Sequence, residues 1–470
     1  MKKRTSKLKS PDLMSIETES SEIGSNVFKI DGLLNLIESF LDKKSYMQFI
    51  NIKKEIHDKI NRRIFINTLP TEKETKILSN IKNIIQIKFK GNFDHCQILK
   101  KMKADKITKL EIDGNKITDC SFISSLPNLK IFSIKSAKID DCNFIKTIKR
   151  LEELHVYFRP CPGNIYENKY YDEGNLLINS IKDLKNLKAL DLSYMVFDDI
   201  SGLPSLSLLE KLNLSYCHVK NDFSVLKQLT KLKYLNLCNS NVANIDFLAN
   251  LNALTELNIA SCADIVNFQA ISNLGKLKSL TMSWIRYNKD SKEIDLSFLE
   301  CLTELEYLNI GHNKTENYEI IGFNKELKTL IIDDNKLEDI SFLEDLKNLK
   351  ILSISSNVKI KDYRCISKLY KLEKLYISNN NLHDIKFISD LTNLNELYLS
   401  DNEEVIDGDL KLLQKLGNIK KINLKRTSFG KDTSILSKLK HLERVIVNRN
   451  QLSEGQVSTL EGRHVHVNFC

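Results

Sequence analysis

The side chains best equipped for chemistry in this 470-residue chain are ten cysteines, nine histidines and a single tryptophan. No two cysteines stand in CxxC spacing, so the thiols form neither a zinc knuckle nor a redox pair. Cys120 and Cys142 lie 22 residues apart, and Cys217, Cys238 and Cys262 follow at similar intervals. A thiol that recurs at one slot of a repeat reads as a buried residue kept reduced in a cytosol. His464 and His466 fall on one face of an alternating stretch and would supply two ligands to a metal. They lack a carboxylate or cysteine in register to complete the set, so they read as a solvated edge. There is no GxxxxGK[ST], strand-linked GxGxxG, HExxH or GxSxG pattern, which leaves no expected catalytic centre, cofactor or metal. Aromatic groups suited to contact remain: Tyr157, Tyr194, Tyr216, Tyr234, Trp284, Tyr307, Tyr376 and Tyr398, with His312 among them.

The elements that must carry these groups are set by an internal repeat. The pattern LxxLxLxxN begins at Ile84 and Ile107, recurs mostly every 22 or 23 residues and ends with the copy at Leu442. There are sixteen copies, and all 48 apolar slots at positions one, four and six hold Leu, Ile, Val, Phe or Met. Positions four and six are two apart, so both point to one face of a short strand. A single unit cannot bury that face, and stacked units close a continuous core. The ninth position is Asn92, Asn115, Asn313, Asn335, Asn357, Asn380, Asn402 and Asn450, or the small polar Cys217, Ser240, Cys262 and Thr427. These read as ladder residues that satisfy loop backbone.

The second half of the unit repeats too, as in Ile340-Ser341-Phe342-Leu343 and Ile385-Lys386-Phe387-Ile388. In this the chain resembles the short-unit leucine-rich repeats of internalins and of phosphatase-regulatory repeat proteins, over about residues 84–452. The resemblance implies an α/β solenoid, a curved array with a parallel concave sheet and short 3₁₀ or helical convex turns. Fold of this kind does not name a function. The missing catalytic motifs point to a non-enzyme that holds a protein target. Positions three, five, seven and eight should face outward on the concave side. There the eight aromatics named above resemble the anchors of interface hot spots.

Two repeats are long. The one at Leu151 runs 36 residues to the next and the one at Leu277 runs 28, with extra chain from Arg159 and Arg286 onward. Insertions of this kind mark a binding face, and these two would rim the strands from Tyr194 to Tyr234. Acidic and basic groups mix on the same face (Asp191, Asp333, Asp334 and Asp401), while Lys421, Lys425, Arg426, Arg444 and Arg449 close the C-terminal end. That end reads either as a patch for an acidic partner or as a solvated face.

The net charge of +9 is carried by residues 1–106, with 22 Lys and Arg against 13 Asp and Glu, while residues 107–470 balance at 48 against 48. An array without net basic charge is not expected to bind nucleic acid. No run approaches the roughly 18 apolar residues of a membrane span, and no apolar stretch follows the basic start as in a secretory signal. A cytoplasmic place, or a nuclear one, is expected.

Residues 1–26 are rich in Ser, Lys and Glu and should form a disordered basic arm. Residues 28–65 show helical spacing, and 27–83 are expected to form a small helical unit. The run Leu33-Leu34-Asn35-Leu36-Ile37-Glu38-Ser39-Phe40-Leu41-Asp42, followed by Ser45 to Phe49, resembles an F-box. That resemblance implies a Skp-type adaptor of a cullin ubiquitin ligase as partner, bound through Leu33, Leu34, Ile37, Phe40, Leu41 and Phe49, with the repeats selecting the substrate. The alternative is a scaffold, regulatory or effector protein without a ubiquitin link, whose N-terminal helices only cap the array. At the other end, residues 453–470 should form a cap, with Ser453 as a helix N-cap and Val465, Val467 and Phe469 alternating as a last strand.

Overall fold

The computed structural model describes residues 14–19, 61–66, 84–90, 104–114, 120–135, 142–157, 171–285, 293–406, 411–428 and 434–469. They fall into two compact units, Met1–Asn221 and Asp222–Cys470.

In the first unit the repeat strands Ile84–Lys90, Lys109–Asp113, Ile131–Lys135, Glu153–Tyr157, Ala189–Asp191 and Lys211–Asn213 pair in parallel. Their register sets Leu110, Phe132, Leu154, Leu190 and Leu212 in one row, and each is 2% exposed or less. Period two in the sequence thus becomes a stacked apolar spine. Ahead of Ile84–Lys90 lies Asn61–Ile66, parallel to it, which in turn pairs antiparallel with Met14–Glu19. Both stretches lie where the sequence suggested an arm and a helical unit, and both are extended. Ile64-Phe65-Ile66 is β-branched and aromatic, a composition that favours a strand. The F-box-like residues Leu33 to Phe49 lie outside the described residues.

In the second unit the strands run from Tyr234–Asn236 through Glu256–Asn258, Ser279–Thr281, Tyr307–Asn309, Thr329–Ile331, Ile351–Ser353, Lys374–Tyr376, Glu396–Tyr398, Lys421–Asn423 and Arg444–Val447 to His466–Phe469. Each is parallel to its predecessor. The chain returns through 3₁₀ turns such as Asp246–Asn250, Ser297–Cys301, Ser341–Asp345 and Lys386–Asp390. Each buries an aromatic–aliphatic pair, for example Phe342 and Leu343 or Phe387 and Ile388. An Asp or Asn one residue ahead of the turn's cap accepts the turn's first free amide: Asp222 from Ser224, Asp295 from Ser297, Asp339 from Ser341, Asp384 from Lys386. This side-chain acceptor fills the vacancy that helical N-termini leave.

The long repeat at Leu151 departs from the plan. Its insertion returns as an α-helix, Tyr171–Ile181, in place of a 3₁₀ turn. The helix sits so close to the strand Val196–Phe197 that a Cβ on Gly174 would meet the Val196 carbonyl at 2.2 Å. At the C-terminus Ser453 caps the helix Glu454–Glu461 in a reciprocal box with Gln456.

The ninth-position ladder is formed as its chemistry requires. Asn357, fully buried, donates to the carbonyls of Ile332 and Ile354 and accepts from the amides of Asn335 and Leu337. Asn402 does the same for Ile377, Leu399, Asn380 and Leu382. Cys217 and Cys262 keep part of the role, each thiol reaching one carbonyl of the preceding repeat at 3.1 and 3.0 Å. In the last repeat the ladder residue is Gln451 rather than Asn450: its amide donates to the carbonyl of Thr427, while Asn450 is exposed. None of the seven described cysteines is in a disulfide.

Candidate binding face

Two further periodicities shape the open face of the sheet. At position five an amide or carboxylate recurs, and its oxygen accepts the backbone N–H two residues on: Asp191, Asn213, Asn236, Asn258, Asn309 and Asn423. This closes the bend that ends each strand. Among the described residues the backbone at position eight is left-handed in eleven repeats, at Tyr194, Tyr216, Asn239, Ser261, Trp284, His312, Asp334, Ser356, Asn379, Asp401 and Arg426. The geometry keeps the sheet ladder running past the strand. The amides of Trp284, His312, Asp334, Ser356 and Asn379 donate to the carbonyls of Gly311, Asp333, Ser355, Ser378 and Ser400. Asn and Asp suit this conformation, and bulky aromatic residues do not.

The aromatics expected on this face separate into local groups. In the first unit Tyr157 ends its strand stacked near His155, with the Lys135 ammonium 5.3 Å from its ring centre. Tyr194 and Tyr216 stack at 4.5 Å and 8°. In the second unit Trp284, with 44% of its surface exposed, stacks on His312 at 3.9 Å. His312 Nδ1 is 3.4 Å from the Asp334 carboxylate. Burial pushes the carboxyl of neighbouring Asp333 up, against hydrogen bonds from the Ser353 hydroxyl and the Ser355 amide. Tyr234 and Tyr307 are half-buried at position three of their strands. Tyr376 and Tyr398 stand in direct register and stack at 4.7 Å.

The repeats of Tyr376 and Tyr398 abandon the position-five amide, as do those of Ile331 and Ser353. Chemistry appears there that was not among the residues expected from the sequence. Glu396, on the strand of Tyr398, is only 8% exposed, and its carboxylate lies 3.1 Å from both Lys374 and Lys421. Burial opposes that charge, and the hydrogen bonds from Lys421 and Lys374 outweigh it, holding the carboxyl below its ordinary range. The Tyr376 hydroxyl is 3.5 Å from the same group. A glutamate at position three looks like a solvent-facing residue until the register places a lysine on each side of it. The signal available was the replacement of Asn at position five by Tyr in two successive repeats.

The extra segments 159–170 and 286–292 lie outside the described residues, so the two expected rims are not placed. Among the described residues no cluster of three His, Cys, Asp or Glu side chains is arranged to hold a metal, and no helix is long and apolar enough to cross a membrane.

Repeats between residues 325 and 415 match family models of leucine-rich repeats. The family model described as "Leucine rich repeat" matches residues 325–382, and the model "Leucine Rich repeats (2 copies)" matches residues 370–415. No curated protein sequence matches the chain. Among solved structures, the chain is similar to an internalin, InlF, of Listeria monocytogenes, at 24% identity and TM-score 0.51, covering 74% of this chain and 88% of that one. It is similar to a leucine-rich-repeat protein of Leptospira interrogans at 20% identity and TM-score 0.54, over 86% and 93% of the two chains. A third likeness, to TLR13 in a complex with single-stranded RNA, has 17% identity and TM-score 0.51, over 86% and 66%. At these identities the likeness is one of fold.

Proposed function

We propose that the open face of the repeat sheet, in each of the two units, is a binding surface for a protein partner, with the stacked aromatics as its anchors. The observation that carries this reading is the left-handed setting of Tyr194, Tyr216 and Trp284. A bulky residue there costs about 1–2 kcal/mol against the conformation it would choose. Asn239 and Asn379 occupy the same position in other repeats, so the fold has a less strained solution and does not use it here. Tyr194 and Tyr216 are half-buried and Trp284 is exposed, so burial in the core does not account for them. Rigid aromatics on a fixed scaffold suit hot-spot contacts. The mixed charge of the face, with Asp191, Asp333, Asp334, Glu396 and Asp401 among its cations, favours a protein over the RNA found with the TLR13 neighbour.

The test is selection of a displayed peptide library on the parent chain, followed by measurement on the variant Trp284→Ala/Tyr376→Ala/Tyr398→Ala. Selected peptides should lose most of their affinity for the variant. Equal affinity for both proteins would place the interface elsewhere.

The finer reading, an F-box-like segment joining this module to a ubiquitin ligase, is supported by the sequence of residues 33–49 alone. It predicts that the full chain retains a purified Skp-type adaptor and that Ile37→Ala/Phe40→Ala releases it. A parent chain that retains none removes the ligase from the proposal and leaves the binding module.

A further inference from the structure

The array's zero net charge conceals a sharp local imbalance. Residues 411–449 hold eleven Lys and Arg and only two acidic residues, Asp432 and Glu443. Strand register shows how part of that charge meets the tyrosine pair. Position three reads Lys374, Glu396, Lys421, Arg444 across four successive strands, and position five reads Tyr376, Tyr398, Asn423, Ile446. With strands about 4.8 Å apart, the grid is about 14 Å wide. Lys374 and Lys421 share Glu396, and Arg426 pairs with Asp401 at 3.1 Å. Lys425, Arg444 and Arg449 have no carboxylate within ion-pair distance among the described residues. They are half-buried, exposed and exposed in turn.

We infer that this end of the face docks an acidic peptide segment, its carboxylates on Lys425, Arg444 and Arg449 and an apolar side chain against Tyr376 and Tyr398. The inference rests on the protein-binding reading above and names the partner's chemistry. Three cations with no carboxylate partner among the described residues, in the two repeats that follow the stacked aromatic pair, complement a segment that mixes acidic and apolar residues. A nucleic-acid strand fits less well. Its charge repeats at every nucleotide, so it would set phosphates against Glu396 and Asp401, where a peptide can place an uncharged residue. The inner faces of the tyrosine pair are also occupied by each other, which leaves no slot for a base between them.

The experiment is fluorescence anisotropy of the full chain with a short labelled peptide of repeating Glu-Glu-Leu, beside its Lys-Lys-Leu counterpart and a single-stranded RNA of equal length. The acidic peptide should bind, the basic one should not, and added salt should weaken the complex. Lys425→Glu/Arg449→Glu should reduce affinity by at least about tenfold, because both charges face the ligand. Lys438→Glu/Lys440→Glu, an equal charge change around the exposed end of the helix Ser434–Lys438, should change it by less than about twofold. Equal losses in the two pairs would reduce the binding to net charge and overturn the inference. Tighter binding of the RNA than of the peptide would overturn it in favour of a nucleic-acid surface. Should no acidic peptide bind while library-selected peptides still depend on Tyr376 and Tyr398, this inference falls and the protein-binding reading stands.

Discussion

At the scale of single residues, the fold and the binding face make opposite demands on position eight. The left-handed backbone there favours Asn, and the face carries Tyr194, Tyr216 and Trp284 instead. Changing both Tyr194 and Tyr216 to Asn relieves about 1–2 kcal/mol at each site and forfeits one stack worth about 0.5–1.5 kcal/mol. The double variant should therefore be at least as stable as its parent to urea while binding selected peptides more weakly. A clear loss of stability would show that the rings are there for packing. The cysteines make a second residue-scale case. Burial pushes the thiols of Cys217 and Cys365 up to about 12 and that of Cys262 up to about 11, so they stay protonated and unreactive at neutral pH. Cys301 is exposed on its turn. Brief treatment with N-ethylmaleimide followed by peptide mass mapping should label Cys301 and spare the other three until the protein is unfolded. Labelling of Cys217 as fast as Cys301 in the native protein would contradict the burial described.

At the scale of elements, the loops depend on the asparagine ladder much as the core depends on leucine. Asn357 satisfies two carbonyls and two amides, all out of reach of water. Asn357→Ala strands those groups, each costing about 1–3 kcal/mol unless the loop relaxes, and a total loss of about 3–5 kcal/mol is expected from urea unfolding. Asn357→Cys should cost less, because Cys217 and Cys262 show that a thiol still reaches one carbonyl. Equal losses for the two variants would mean that side-chain volume, not hydrogen bonding, fills this slot. The helix of the long repeat poses a steric test instead. Gly174→Ala drives a Cβ onto the Val196 carbonyl and should destabilise by about 1–3 kcal/mol, although alanine is the better helix former. A stabilised variant would show that the helix can move away from the strand.

For the molecule as a whole, what could be read in advance follows from which features leave a mark on residue type. The strands and their inward leucines were legible because period two is written in every copy. Asn313 to Asn402 were legible as a ladder for the same reason. The last rung fell to Gln451 because the chain there supplies its amide one residue later than the pattern counts. The left-handed position eight was not legible, since Tyr, Trp, Ser, Asp and Arg all occupy it. Nor was Glu396, whose partners belong to the neighbouring strands. The aspartates that open the turns are a further device spread along the chain, and they carry a prediction about acid. Hydrogen bonds from the residue two along hold the carboxyls of Asp222, Asp295, Asp339 and Asp384 below their ordinary value, and the Arg364 guanidinium beside Asp362 draws its carboxyl down to about 2. An aspartate whose folded value is depressed binds its proton more readily in the unfolded chain. Its stabilisation is present above the unfolded value of about 4 and fades as pH falls through the folded value. Since the device recurs from repeat to repeat, small losses accumulate. The urea midpoint should hold between pH 7 and pH 5 and fall steeply between about pH 4 and pH 2. Asp339→Asn/Asp362→Asn/Asp384→Asn keeps an acceptor at each turn but removes the titration. It should lower the midpoint at pH 7 and flatten its decline in acid. A triple variant that declines as steeply as its parent would assign the acid sensitivity to other carboxylates, of which Glu152, drawn down to about 2 by Lys130 and Lys188, is the first to examine.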